Sequence, residues 1–206
     1  MIVINFKNYV SGEKAEKLAF EIKKYLSKVI LCIDSADLSR IKGSWAQHVD
    51  YIKTEKSTGM VSAEDVKNAS AVGTLLNHSE HRIPFDLLKK TTEQCKKEGL
   101  KIIVCVLSLR EAKRAVGLKP WGIAFEDEKL IGSGKSITEY NSEDVKSFAK
   151  LLKRTKIKTL CGAGISNVED VKKAYELGCK GVLISSAIAN VKNPESFLVE
   201  LEKLEV

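Results

Sequence analysis

Two kinds of segment alternate along the chain. Short apolar runs, of which Ile102 to Val106 is the clearest, have the length and β-branched content of buried parallel strands. Between them lie amphipathic segments, such as residues 12–27 and 84–98, whose apolar positions recur at helical spacing. The pattern therefore predicts strands and helices in strict succession.

The predicted elements form eight strand–helix units. The strands are residues 2–7, 29–33, 45–49, 71–76, 102–106, 122–126, 157–161 and 181–185. The helices are residues 12–27, 35–41, 62–69, 84–98, 109–116, 142–153 and 166–177, and a last helix begins at Asn193-Pro194. Ser11 is a predicted helix cap, Ser166 and Glu169 a predicted capping box, and residues 127–140 the longest loop.

Eight such units without a linker or a break in composition predict one α/β domain over residues 1–206. Eight parallel strands alternating with helices close into a (β/α)₈ barrel. Chains of this fold typically have about 250 residues, and this chain is shorter. The second helix and the connecting loops are therefore expected to be short. A doubly wound open sheet is the alternative, because periodicity does not distinguish an open sheet from a closed one.

Composition narrows the class of protein. With 44% hydrophobic and 30% charged residues, the chain is expected to be a soluble globular protein. No apolar run approaches the roughly 20 residues that span a bilayer, and the N-terminus lacks the features of a signal peptide, so a cytoplasmic location is expected. The five cysteines form no C-x-x-C pair, and Cys32, Cys105 and Cys161 lie in apolar runs. Free buried thiols are expected, rather than disulfides or a metal site.

The net charge is +7, but the basic residues do not cluster in the sequence. Lysines are spread over predicted helix faces, and aromatic residues make up only 6% of the chain, so nothing specific points to nucleic acid. A positive field does suit a small anionic substrate, which it would attract.

Polar residues collect at the C-terminal ends of the predicted strands. In a barrel these ends meet on one face, which carries the site. Strand one supplies Asn5 and Lys7, strand four supplies Asn77, His78 and Glu80, and strand six supplies Glu126. Burial would raise the pKa of Glu126 and suit it to act as a general base, while Lys7 offers charge to a developing oxyanion and His78 a hydrogen bond to a carbonyl.

Small residues on the same face predict an anion site. Gly132-Ser133-Gly134, Gly162-Ala163-Gly164 and Ser185-Ser186 let backbone N–H groups approach a phosphate closely. Structural interpretations stay open for each part. The triplets are individually common as turns, His78 could satisfy a buried hydrogen bond, Glu126 could form a salt bridge at the end of its strand, and Lys7 could be a surface lysine.

These residues together resemble the triosephosphate isomerase family, and in particular its short archaeal branch. The motifs that carry the resemblance are Asn5-Phe6-Lys7, Leu76-Asn77-His78-Ser79-Glu80, Glu126 with Ile131-Gly132-Ser133-Gly134, Cys161-Gly162-Ala163-Gly164-Ile165 and Gly181-Val182-Leu183-Ile184-Ser185-Ser186. The resemblance implies interconversion of dihydroxyacetone phosphate and glyceraldehyde 3-phosphate without cofactor or metal. It makes Glu126 the base, His78 a neutral electrophile, as is usual in this family, and Lys7 an electrostatic stabiliser.

The resemblance also implies the remaining site residues. Substrate-binding residues would be Asn5, Phe6, Lys7, Ile131, Gly132, Ser133, Gly162, Gly164, Ser185 and Ser186, supported by Glu80, Asn77 and Thr58. Asp127 to Ser136 matches a lid that closes over the phosphate. This chain has Asp127 where the family usually has Pro, followed by the charged Glu128 and Lys129, and Ser185-Ser186 where many relatives have Gly-Gly. We expect a costlier closure and phosphate binding that survives through backbone N–H groups.

Thr58-Gly59 resembles the family's interlocking loop, which inserts into a neighbouring subunit. A homodimer or homotetramer is therefore expected, and neither nucleic acid nor membrane is expected as a partner. Two other functions stay open. One is a different phosphate-binding (β/α)₈ isomerase or synthase, which would share the glycine loops but not the combination of Lys7, His78 and Glu126. The other is a catalytically silent barrel that serves as a binding module.

Overall fold

Eight parallel strands form a closed barrel in which each strand pairs with its sequence neighbours and the last pairs with the first. The computed structural model describes residues 1–54, 56–127, 130 and 136–204. The strands are β1 (Ile2–Asn5), β2 (Ile30–Ile33), β3 (Trp45–Ala46), β4 (Gly73–Leu76), β5 (Lys101–Val106), β6 (Gly122–Phe125), β7 (Lys158–Gly162) and β8 (Gly181–Ile184). The predicted barrel is confirmed, and the open sheet is wrong.

The connections between strands are short and mostly helical. The α-helices are α1 (Gly12–Tyr25), α2 (Ala63–Asn68), α3 (Phe85–Lys97), α4 (Leu109–Val116), α5 (Ile137–Tyr140), α6 (Ser142–Leu152), α7 (Val168–Glu176), α8 (Ser186–Ala189) and α9 (Glu195–Glu202). Only a 3₁₀ turn, Ser35–Asp37, follows β2, where the sequence predicted a helix over residues 35–41. The helices α5 and α8 were not predicted, because four residues carry too little periodicity to detect.

Two predicted helix caps are corrected by the structure. Ser11 occupies the N-cap position of α1 but makes no side-chain hydrogen bond there, and the Asp37 carboxylate instead accepts the Gly12 N–H at 2.8 Å. The N-cap of α7 is Asn167, one residue further on than predicted, and the predicted capping box of Ser166 and Glu169 is wrong. The Asn167 side chain accepts the N–H of Asp170 at 2.9 Å, while the Asp170 carboxylate accepts the N–H of Ser166 at 2.9 Å.

Alternate strand residues face opposite sides of the barrel wall, which gives two apolar layers. Val3 belongs to the inner layer, whereas its neighbours Ile2 and Ile4 belong to the layer beneath the helices. The inner layer is Val3, Cys32, Trp45, Leu75, Ile103, Cys105, Ala124, Leu160 and Leu183. All five cysteines are buried and unbridged, as the sequence predicted.

The start of β4 has no room for a side chain. A Cβ atom on Gly73 would lie 2.5 Å from Trp45 Cδ2 and 2.6 Å from the carbonyl oxygen of Lys101. One contact is with a packed ring and the other with the backbone of β5, so neither can give way cheaply.

We expect Gly73→Ala to destabilise the protein by about 1–3 kcal/mol, because overpacking displaces Trp45 or the strand itself. Urea unfolding followed by tryptophan fluorescence measures the change. Gly117→Ala is the matched control, since Gly117 has a helical φ of −62° and its Cβ would lie 3.3 Å from the Arg114 carbonyl oxygen, a contact that a shift of a few tenths of an ångström relieves. Equal midpoints for the two variants would contradict this explanation.

Candidate functional site

A cavity of about 330 Å³ opens at the C-terminal ends of the strands. Residues that follow β1, β4, β6, β7 and β8 line it, so the closed barrel brings together side chains that are distant in sequence. Of the predicted site residues, it brings together Asn5, Lys7, His78, Glu80, Glu126, Gly164, Ser185 and Ser186.

The other predicted site residues lie elsewhere. The Phe6 side chain is fully buried in the apolar layer beneath the helices. Gly162 is the last residue of β7, where a Cβ would lie 2.9 Å from Leu183 Cβ. Thr58 lies on an exposed loop, and Ile131, Gly132 and Ser133 fall outside the described residues. Phe6 and Gly162 therefore support the site through packing rather than through the cavity wall.

Unusual backbone conformations mark three strand ends around the cavity. Lys7 has a φ of 47°, Asn77 a φ of 62° and Ala163 a φ of 142°. Positive φ in residues other than glycine costs on the order of 1–3 kcal/mol each and persists only where the surroundings enforce it. The barrel therefore holds strained turns at the strand ends that surround the cavity.

The turn at Lys7 is fixed by two side chains. The Asn5 Oδ1 atom accepts the Lys7 N–H at 3.0 Å, and Gln47 Nε2 donates to the Lys7 carbonyl at 2.9 Å. The Lys7 ammonium then pairs with Glu80 Oε1 at 2.6 Å. The Lys7 side chain is 13% exposed and that of Glu80 is 54% exposed, so the positive charge is the buried partner.

Hydrogen bonding determines the tautomer of His78. Its Nδ1 atom accepts the backbone N–H of Glu80 at 3.2 Å, so the imidazole proton belongs on Nε2. Nε2 lies 3.3 Å from Glu126 Oε1 and faces the cavity. Burial above all lowers the pKa of His78, Glu80 opposes the shift and Lys7 adds to it, so that the resulting pKa is about 4. His78 is thus a neutral donor at neutral pH.

Glu126 comes directly after β6 and is 2% exposed. Its Oε2 atom lies 3.4 Å from the backbone N–H of Ser79, which donates to it. Burial raises the pKa of Glu126 to about 7, against the lowering effects of the Ser79 N–H, Lys7 and Arg82. A carboxylate with this proton affinity can both take and return a proton near neutral pH.

The far wall of the cavity consists of small residues. Ala163 and Gly164 follow β7, and Ser185 and Ser186 follow β8, where Ser186 begins the short helix α8. The Ser185 hydroxyl donates to the Asn5 carbonyl at 2.7 Å, so its single proton already has an acceptor. Ser185 therefore joins β8 to β1, and backbone N–H groups remain for an anion.

Two residues around the site were not singled out from the sequence. Tyr9 lines the cavity, with the Lys7 ammonium 6.0 Å from its ring centre, and Gln47 holds the Lys7 backbone. Gln47 follows the two residues of β3, so the rule that found Asn5 and His78 would also have found it. The predicted strand over residues 45–49 hid Gln47 because it extended past the true end of β3.

Within the described ranges, no group of three or more His, Cys, Asp or Glu side chains is arranged to hold a metal ion. None of the described helices is long and apolar enough to cross a membrane.

Comparisons with known proteins agree with this geometry. The family model for triosephosphate isomerase matches residues 1–202. The triosephosphate isomerase of Methanocaldococcus jannaschii is 36% identical, covering 98% of this chain and 99% of its own, and that of Thermoplasma volcanium is 32% identical with the same coverage. The solved triosephosphate isomerase of Bartonella henselae shares the fold, with a TM-score of 0.73 at 21% identity over 100% of this chain and 98% of its own. The chain belongs to the triosephosphate isomerase family and is an intramolecular isomerase.

Proposed function

We propose that this chain interconverts dihydroxyacetone phosphate and D-glyceraldehyde 3-phosphate through an enediol or enediolate. The observation that carries the proposal is the buried pair at the end of β4 and β6, where the Glu126 carboxylate lies 3.3 Å from the Nε2 atom of His78. One group of this pair is a base near neutrality and the other is a neutral hydrogen-bond donor, which is what proton transfer next to a carbonyl requires.

The first step is removal of a proton by Glu126. A substrate in the cavity displaces the Glu126–His78 contact, and one carboxylate oxygen takes the proton from the carbon next to the carbonyl. His78 Nε2–H donates to the carbonyl oxygen, which gains negative charge as the enediolate forms. His78 passes its Nε2 proton to this oxygen and takes up the proton of the neighbouring hydroxyl, so that one proton moves from one substrate oxygen to the other. Glu126 then returns its proton to the carbon that carried the carbonyl, the neighbouring C–O becomes the new carbonyl, and no net charge remains.

Lys7 stabilises the negative charge of this reaction. Its ammonium is largely buried and is held by Glu80, so little reorganisation is needed when charge develops on the substrate oxygens. The phosphate would lie against the backbone at Gly164 and Ser186, opposite the reacting carbons. Asn5, at the end of β1, orients the part of the substrate between the phosphate and the reacting carbons.

The proposed site belongs to one domain with a closing lid. The closing lid over residues 127–136 stays a prediction, because residues 128, 129 and 131–135 lie outside the described residues. The single-domain assignment is supported by the pairing of β1 with β8, which closes one barrel from both ends of the described chain.

Glu126→Gln should lower kcat by roughly 10²–10⁴-fold, because the amide cannot accept the proton. A coupled assay that starts from glyceraldehyde 3-phosphate measures it. Above pH 7 the variant should be at least as stable as the parent, because folding no longer buries a group whose ionised form is disfavoured there. Glu143→Gln, which removes an 83% exposed carboxylate, is the control and should leave kcat unchanged. Full activity of Glu126→Gln would refute the assignment of the base.

Activity should fall with acid through the titration of Glu126. The value of kcat/KM should drop tenfold per pH unit below a midpoint near pH 7, because burial raises the pKa of the free carboxyl to about 7 and only its ionised form accepts a proton. The substrate phosphate itself titrates at about pH 6. The kcat/KM profile is therefore corrected for the fraction of substrate in each ionisation state, which is measured separately. A plateau that extends down to pH 5 would contradict the raised pKa.

We infer that the protein associates with itself. A second cavity, of about 640 Å³, adjoins the first and shares Asn5, Lys7, His78 and Glu80 with it. Asp50 and Val61 pair at the base of the loop that carries Thr58, where the Asp50 N–H donates to the Val61 carbonyl at 2.8 Å and the Asp50 carboxylate accepts the Val61 N–H at 2.8 Å. Gln94 holds the same loop through two hydrogen bonds to the Ile52 backbone.

A segment that enters this second cavity would contact Asn5 and Lys7 directly. Thr58 is exposed on a loop whose base is held by hydrogen bonds, so a second copy of the chain is the occupant that we propose, in a homodimer or homotetramer. The substrate itself is too small to fill both cavities.

Thr58→Arg should shift the protein toward the monomer and lower kcat, because the larger charged side chain blocks insertion of the loop. Sedimentation velocity at micromolar concentration measures the assembly. Ser27→Arg, at an exposed position at the opposite end of the barrel, is the control. A parent protein that is monomeric and fully active would refute this part of the proposal.

A further inference from the structure

Arg82 joins the end of β4 to the start of α4. Its Nη1 atom donates to the carbonyl of Asn77, five residues earlier, at 3.2 Å. Its Nη2 atom lies 2.7 Å from Glu111 Oε1, and the other oxygen of that carboxylate accepts the Leu107 N–H at 3.0 Å. One ion pair therefore bridges the turn after β4 and the turn after β5.

The turn that Arg82 contacts needs external support. Asn77 has a φ of 62°, and its side chain is tied at both ends, since Nδ2 donates to the Cys105 carbonyl at 3.0 Å and Oδ1 accepts the Ile83 N–H at 3.1 Å. Arg82 adds the only contact of this set that holds the Asn77 carbonyl itself. That carbonyl belongs to the peptide bond that leads into His78, so its orientation determines where the imidazole begins.

We propose that Arg82, held by Glu111, is a positioning residue that fixes the turn from which His78 reaches Glu126. Arg82 and Glu111 line a separate cavity of about 120 Å³ behind the turn rather than the cavity that would hold substrate. They therefore act through Asn77 and His78. The kinetic consequences rest on the proposed isomerase reaction, whereas the structural consequence does not.

The charge of Arg82 also reaches the base. The groups that face Glu126 are Lys7 from the end of β1, His78, Glu80 and Arg82 from the loop after β4, and the buried thiols Cys105 and Cys161 on β5 and β7. Burial raises the pKa of Glu126 most strongly, Glu80 raises it further, and Lys7 and Arg82 lower it. Loss of the Arg82 charge should therefore raise the pKa of Glu126, which moves the acid limb of activity to higher pH.

Four variants separate geometry from charge. Arg82→Gln removes both the guanidinium fork and the charge, and Arg82→Lys keeps the charge alone. Glu111→Gln breaks the ion pair but keeps an acceptor for the Leu107 N–H. Arg114→Gln is the matched control, because Arg114 lines the same 120 Å³ cavity and loses the same charge, but its guanidinium stacks on the Phe85 ring at 3.9 Å.

Two readouts are needed, one with and one without turnover. Imidazole ¹⁵N resonances are recorded in the free protein. The chain has three histidines, and the signals lost in His78→Gln are those of His78. Arg82→Gln and Glu111→Gln should shift the His78 resonances, and Arg114→Gln should not. In the assay, Arg82→Gln should lower kcat by about 10–100-fold, with KM changed by less than about twofold, because a displaced His78 affects the transition state more than substrate binding.

The pH profile distinguishes positioning of His78 from a purely electrostatic effect of the Arg82 charge on Glu126. Arg82→Lys should restore the acid limb but not kcat, because the charge is kept and the geometry is lost. The inference is overturned if Arg82→Gln and Glu111→Gln shift the His78 resonances no more than the control Arg114→Gln does. It is also overturned if the parent protein is active and both variants keep its kcat. If Arg82→Gln does not fold, Glu111→Gln decides by the same criteria. An inactive parent protein would refute the proposed function, while the resonances would still test the positioning role.

Discussion

The Glu126 carboxylate and the His78 imidazole lie 3.3 Å apart in a site where each is almost completely buried. Two opposite charges at that distance would attract each other, but each would also have lost its water, which costs several kcal/mol per ion. Burial raises the pKa of the acid to about 7 and lowers the pKa of the imidazole to about 4, so desolvation prevails over attraction. A carboxyl that titrates near neutral pH and an imidazole that stays neutral are therefore consequences of one constraint.

Closure of the barrel creates that constraint. Each strand ends at the same face, so residues separated by long stretches of sequence meet around a cavity that the inner apolar layer closes from below. The cost appears in the backbone, where Lys7, Asn77 and Ala163 take positive φ values. The turn at Lys7 is held by Asn5, which accepts a hydrogen bond from it, and by Gln47, which donates one, and Arg82 donates to the turn at Asn77. These hydrogen bonds thus fix the positions of the side chains that line the cavity.

The sequence predicted the barrel because each strand and most helices carry strong periodicity. It predicted Lys7, His78 and Glu126 at one cavity because parallel strands end together, and their chemistry indicated candidate roles, although the specific reaction and the neutral state of His78 came from the family resemblance. It failed where the signal is local and short, at the two-residue strand β3, at the four-residue helices and at the start of α7, where Asn167 and Ser166 are equally good caps. It could not show that Phe6 faces the core or that the Ser185 hydroxyl is occupied, because both depend on tertiary packing.

The most direct test is a ¹³C NMR titration of the Glu126 carboxyl group in the free protein, assigned by its loss in Glu126→Gln. If desolvation controls the pair, the resonance should titrate with a midpoint near the pKa of about 7 that burial imposes. If attraction controls it, the two groups form an ion pair with a protonated imidazole, and the carboxyl should titrate below its ordinary value of 4.5. That second result would contradict the account of a neutral His78 beside a poised base.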